Sequence, residues 1–146
     1  MYIVSGCLLG HNCKYNGGNN ANEAVIEFCR THKYIEVCPE SAAKLPCPRP
    51  PAEIVGSKVL NKFGKDLTLD FDRGAELSAN TCLTMAEITG EPIEGAILKA
   101  NSPSCGCGKI YDGTFTGTLV DGYGIFARRL RRMGIDIITE KETIPW

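Results

Sequence analysis

Four short apolar runs, set between helical patterns, constrain this chain more than any other feature. Tyr2–Ser5, Tyr34–Val37, Gly95–Lys99 and Ile135–Ile138 are mostly apolar and only four or five residues long. Runs this short are strands, and apolar runs without strict alternation are strands covered on both faces. Between them the apolar spacing changes to that of a helix. Ala21–Thr31 puts Ala21, Ala24, Val25 and Phe28 on one face. Asp70–Thr89 buries Phe71, Ala75, Ala79, Cys82 and Ala86, then meets Gly90 as a C-cap. Asp121–Met133 forms a further helix closed by Gly134. The alternation predicts a single α/β domain over residues 1–146: a small Rossmann-like open sheet of about four mostly parallel strands with helices on both faces. Two stretches fall outside it. Leu45–Pro51 carries four prolines and is stiff and extended, and Val59–Leu69 is extended with a turn at Gly64.

Composition narrows the function classes. With 43% hydrophobic and 23% charged residues, the chain has what one core needs. No apolar run is long enough to span a membrane, and the N-terminus lacks the basic and apolar regions of a signal peptide, so a cytoplasmic protein is expected. The net charge of −1 argues against a nucleic-acid partner. Arg128, Arg129, Arg131 and Arg132 read as a solvated helix face.

Eight cysteines are the unusual element: Cys7, Cys13, Cys29, Cys38, Cys47, Cys82, Cys105 and Cys107. Disulfide scaffolds belong mainly to secreted chains too small to build a core, whereas clustered thiols in a reducing compartment bind metal or do chemistry. Cys7 lies two residues beyond the first strand, Cys38 directly follows the second, and Cys105 lies in the loop leaving the third. Ligands of open α/β sheets bind outside the carboxyl ends of the strands, so these three thiols are expected to converge. Cys29 and Cys82 fall on helices and read as core packing. Cys13 shares the Cys7 loop as a fourth ligand, a sulfur carrier or a packed thiol. Cys47 sits among the prolines, and Cys107 completes Cys105-Gly106-Cys107. No close C-x₂-C pair of the kind zinc prefers is present, and His11 and His32 lack a metal-binding partner at helical spacing. Thiolates spread over three loops suit an iron–sulfur cluster at least as well.

The ordered segments Ser5–Gly10 with Cys13, Val37–Glu40, Pro48–Glu53, Gly64–Asp66, Ala96–Lys99, Ser102–Gly106 and Ile110–Gly113 resemble those of the thiouracil desulfidases, a family long catalogued as a domain of unknown function. The resemblance runs over nearly the whole chain. It implies a 4Fe–4S cluster held by three cysteines, which by motif are Cys7, Cys38 and Cys105, and a small thiolated heterocycle such as 2-thiouracil as substrate. Departures from the pattern are Lys14 and Asn16 for arginine and aspartate, Lys44 for a small residue or glycine, Cys47 for a small hydroxyl residue, and Cys107 as an additional thiol.

Three thiolates on a four-iron cluster leave one iron open, a Lewis acid and a soft site for sulfur. The sulfur is expected to leave on that iron while a water activated by Glu40 attacks the ring carbon. Ser102 and Ser104, beside Cys105, are candidates to hydrogen-bond the substrate or a developing oxyanion. Tyr15, Tyr111 and Phe115 are candidates to stack on a flat base, and Arg49 to bind substrate or to pair with Glu53. Gly122 and Gly124 open the last helix, as tight packing or as a weak phosphate signal. Three alternatives stay open from the residues: a non-catalytic iron–sulfur or zinc module, a sulfur transferase using a persulfide on Cys13 or Cys107, and a disulfide-bonded protein.

Overall fold

The structure, a computed structural model, describes all residues from 1 to 146. Strands β1 (Tyr2–Ser5) and β2 (Tyr34–Val37) form where expected. The hairpin β3 (Ala52–Val55) and β4 (Lys58–Asn61) follows them. Strand β5 (Gly95–Leu98) precedes a second hairpin, β6 (Cys107–Tyr111) and β7 (Leu119–Tyr123), and β8 (Ile137–Thr139) comes last. The helices are α1 (Glu23–Thr31), α2 (Pro39–Ala42), α3 (Thr68–Thr89) and α4 (Ile125–Arg132).

The main sheet has four strands in the order β2-β1-β5-β8, and every neighbouring pair is parallel. Residues alternate across it because the strand period is two. Tyr2, Val4 and Ile97 pack with Val25 and Phe28 of α1. Ile3, Ala96 and Leu98 pack on the other side with Ala75, Ala79 and Cys82 of α3 and Phe126 and Leu130 of α4. Helices therefore cover both faces. From the central pair the chain runs outward both ways, β1 to β2 on one side and β5 to β8 on the other. Strand order reverses between β1 and β5, and at such a switch point a crevice opens beyond the carboxyl ends.

The expected helix ends move for local reasons. The first helix begins at Glu23 because the side chain of Asn22 accepts the Val25 amide at 3.1 Å. The longest begins two residues before Asp70, because Asp66 Oδ1 accepts both the Thr68 amide (2.9 Å) and its hydroxyl (2.6 Å). Gly90 and Gly134 adopt φ of 69° and 80°, as C-terminal glycines do. The larger correction is at residues 121–123, expected in a helix and found in β7, where Asp121 pairs with Lys109 across the hairpin. This partly exposed strand has no apolar alternation to betray it. Lys44, just past α2, takes a φ of 61°, a conformation a glycine adopts without strain.

Candidate active site

Each of the three strand-end thiols is held by its own local device. After β1 the chain tightens into a 3-10 turn over Gly6–Leu9 that carries Cys7. Its end is tied down by Asn20, whose amide donates to the Cys7 carbonyl at 2.9 Å. Cys38 follows β2 and caps α2, where Pro39 occupies the first helical position. Helix α3 presses against this turn: a Cβ at Gly74 would stand 2.0 Å from the Pro39 carbonyl oxygen, so only glycine fits there. Cys105 sits in a turn after β5 in which Ser102 Oγ accepts the Cys105 amide at 2.8 Å and Ser102 O accepts that of Gly106 at 2.9 Å. The first turn of α4 grips the same loop, the Phe126 amide donating to Ser104 O at 2.9 Å. Gly124 makes that approach possible, since a Cβ there would lie 2.5 Å from the Ser104 carbonyl. Gly122 in turn packs on Ile110, where a Cβ would meet the side chain at 2.8 Å. Both glycines are explained by close packing.

The three loops meet at one cavity of about 800 Å³, lined by Cys7, Cys13, Cys38 and Cys105 together. Their environments differ. Hydrogen bonding from the Cys13 thiol, helped by Ser41, outweighs burial and brings Cys38 down to about 6. Cys13, as the donor of that pair and partly buried, is held above the ordinary thiol range. Burial pushes Cys105 up to about 12 and raises Cys7. Cys47 is exposed and lies outside the cavity wall, its Sγ 3.2 Å from Asn12 O. Cys107 faces away, 4.0 Å from Ile137 O. Cys82 is fully buried, and Cys29 is half-buried against the α1-side core.

The remaining expected residues gather on the same wall. Glu40 has both oxygens engaged: Oε1 accepts from Arg49 Nε at 3.1 Å and Oε2 from Ser104 Oγ at 2.9 Å. Arg49 thus pairs with Glu40 and not with Glu53. Its other nitrogens donate to Pro46 O (3.2 Å) and Cys13 O (2.9 Å), so the guanidinium braces the Cys13 and Pro46 loops against Glu40. Ser102 Oγ lies 3.4 Å from Ser104 Oγ, which makes a hydroxyl path from Ser102 through Ser104 to Glu40. Tyr15, Tyr111 and Phe115 line the cavity. Neither histidine does: His11 Nδ1 is 2.8 Å from Glu36 Oε1, and His32 stacks on Phe28 with centroids 3.9 Å apart.

Two wall residues carry roles that sequence reasoning did not assign. Lys99 Nζ pairs with Glu140 at 2.7 Å and lies close enough to Cys7 to favour its thiolate. Glu53 lines the cavity without a cationic partner and takes backbone amides instead. The signal for Lys99 was present, since it stands last in the run Gly95–Lys99 expected as a strand, and β5 in fact ends at Leu98, leaving Lys99 at the strand end where ligand-facing residues collect.

The donor set fits an iron–sulfur cluster. Its sulfur donors are all cysteines, and they come from three separate loops at a strand-end crevice.

A family profile described as 2-thiouracil desulfurase matches residues 2–142. The uncharacterized protein YbbK of Bacillus subtilis (strain 168) is 38% identical over 152 aligned positions, covering 97% of each chain. A solved structure described as the 4Fe–4S-dependent thiouracil desulfidase TudS superposes with a TM-score of 0.85 at 41% identity, covering 96% of this chain and 90% of that one.

Proposed function

This chain belongs to the 2-thiouracil desulfurase family, a family of sulfur-removing enzymes, and on that premise we propose that it replaces the sulfur of a small thiolated heterocycle such as 2-thiouracil with oxygen from water. The carbon–sulfur bond breaks, a carbon–oxygen bond forms, and the two protons of water leave with sulfide as hydrogen sulfide. The observation that carries this reading is the meeting, in one cavity, of Cys7, Cys38 and Cys105 with a carboxylate fixed at both oxygens, that of Glu40.

Cys7, Cys38 and Cys105 would hold a 4Fe–4S cluster. When bound, that cluster supplies a soft, Lewis-acidic iron suited to receive the departing sulfur. The protein's own groups do the rest. Glu40 takes a proton from the attacking water. Arg49 and Ser104 lock its rotamer and leave a lone pair on each oxygen for that proton, so Arg49 acts as a positioning residue. Ser102 Oγ accepts from the Cys105 amide, and its hydroxyl proton, which points at Ser104 Oγ while Ser104 donates to Glu40, turns to a ring atom that gains negative charge. Ser104 relays protons between Ser102 and Glu40. Tyr15, 41% exposed at the rim, offers a face to the flat ring.

The test is anaerobic reconstitution with iron and sulfide, followed by chromatography of 2-thiouracil reactions. Uracil and sulfide formed in equal amounts support the proposal. A reconstituted protein with full iron content that leaves 2-thiouracil and related thiolated heterocycles intact overturns it and favours the non-catalytic module.

A further inference from the structure

Of the three aromatic residues at the cavity, Phe115 is held there against the preference of its own backbone. Its φ is 58°, in the left-handed region that bulky L-residues avoid. Such strain persists only where surrounding contacts over-determine it, and it gathers at binding sites. Here the contacts are specific. Glu53, on β3 and only 7% exposed, aims Oε1 at two backbone amides, that of Gly113 at 3.0 Å and that of Phe115 at 3.2 Å. The loop lies directly on β3: Gly113 has a φ of 93°, and a Cβ there would stand 2.8 Å from the Ile54 carbonyl oxygen. Its outer edge is tied by hydroxyls. Thr114 Oγ1 donates to Asp112 Oδ1 at 2.6 Å, Thr114 and Thr116 meet at 2.6 Å, and Thr116 and Thr118 meet at 2.9 Å. A buried carboxylate engaged with two amides is an expensive anchor for a surface loop unless the loop has a task. The ring it positions is 36% exposed and lines the cavity.

We propose that Glu53 is a positioning residue for substrate: it clamps the 112–118 loop so that Phe115 presents its ring as a stacking face for a flat heteroaromatic ring in the cavity. The loop thereby sets affinity for the heterocycle and leaves the chemical step to Glu40 and its neighbours. The inference rests on the desulfidase reading for the identity of that ring. Stacking tolerates different bases because each has a π face, so one clamp serves a range of thiolated heterocycles.

The experiment is equilibrium dialysis of the reconstituted protein against 2-thiouracil, each variant being made in a Glu40→Gln background that slows turnover, with steady-state kinetics of the same variants in the Glu40 protein alongside. Phe115→Gly is the informative variant, because glycine is at ease at this φ and only the ring is lost. It is expected to raise Kd and KM about tenfold with kcat unchanged, the pattern of lost uniform binding. Phe115→Tyr, which keeps a stacking ring, should bind as the native protein does. Glu53→Ala should match Phe115→Gly, while Glu53→Gln, whose side-chain carbonyl accepts the same two amides, should restore native KM. Native affinity in Phe115→Gly overturns the proposal. So does a Glu53→Gln variant as weak as Glu53→Ala, which would mean the charge itself meets the substrate. Absence of uracil from the native holoenzyme would bring down the desulfidase reading alone, since dialysis still compares the variants. A reconstituted protein that neither binds nor consumes 2-thiouracil would overturn both.

Discussion

Replacing Gly74 with alanine sets two effects of opposite sign against each other. Gly74 lies inside α3, where alanine is the better helix former by about 1 kcal/mol. On helix propensity alone, Gly74→Ala should raise Tm by a few degrees. The added methyl, however, would stand 2.0 Å from the Pro39 carbonyl oxygen and 3.1 Å from Ala43 Cβ. Ordinary contact between heavy atoms begins near 3.5 Å, so α2 must retreat by about 1.5 Å. Neither side yields cheaply, because both are backbone in regular structure. Overpacking costs about 1–3 kcal/mol, and a contact this short belongs at the upper end. The net effect is a loss of about 2 kcal/mol, or about 4–8 °C in Tm for a chain of this size. The same retreat moves Cys38 and Glu40, which α2 and its cap carry. A displacement near 1 Å is enough to lower the rate about 100-fold. Thermal unfolding of the apo protein, iron content after reconstitution and kcat make the assay. Gly56→Ala, at a hairpin tip with φ 64° and nothing within 4 Å, is the control that strains backbone without touching the site. It should lose stability and keep its iron. A Gly74→Ala variant with raised Tm and full iron content would refute the close-packing account.

Three further outcomes follow from the site. Cys7→Ser, Cys38→Ser and Cys105→Ser should each lose most bound iron and the visible absorption of the reconstituted protein, whereas Cys29→Ser, half-buried on α1 and away from the cavity, should keep both; iron analysis decides. Glu40→Gln keeps oxygen and shape but not the base, so kcat should fall about 10²–10⁴-fold with the cluster spectrum intact; normal turnover would remove Glu40 from the mechanism. In the apo protein, alkylation of Cys38 should rise through about pH 6, while Cys105 and Cys82, both pushed up to about 12 by burial, stay unreactive at neutral pH. Mass mapping of iodoacetamide adducts reads this in a Cys47→Ser background. Because the folded value of Cys38 lies below a thiol's ordinary 9.0, its contribution to stability is complete above pH 9 and is lost as pH falls through about 6.

The main sheet was legible in the chain because its signal is local. Tyr2–Ser5 and Tyr34–Val37 form strands with the bounds read from their sequence runs; burial along the whole of β1 is what makes its run so apolar, while β2, at the sheet edge, alternates between exposed and buried residues. A parallel sheet then carries its own rule for where ligands bind, so the positions of Cys7, Cys38 and Cys105 at strand ends foretold that they would meet. Helix ends were read less well, since capping by Asn22 and Asp66 decides them and both are ordinary polar residues in the sequence.

What the amino-acid sequence determined by itself was the sheet, the faces its helices cover and the edge where the thiols gather, because each rests on periodicity within a few residues. Only the tertiary structure decided what surrounds those thiols. Strand β7 exists because β6 pairs with it. Arg49 chose Glu40 over Glu53, and Glu53 was left to hold the loop of Phe115. Two carboxylates in one sequence look alike to an arginine. The difference comes from distances set by the hairpins and turns that fold between them, and those depend on contacts across 60 residues or more.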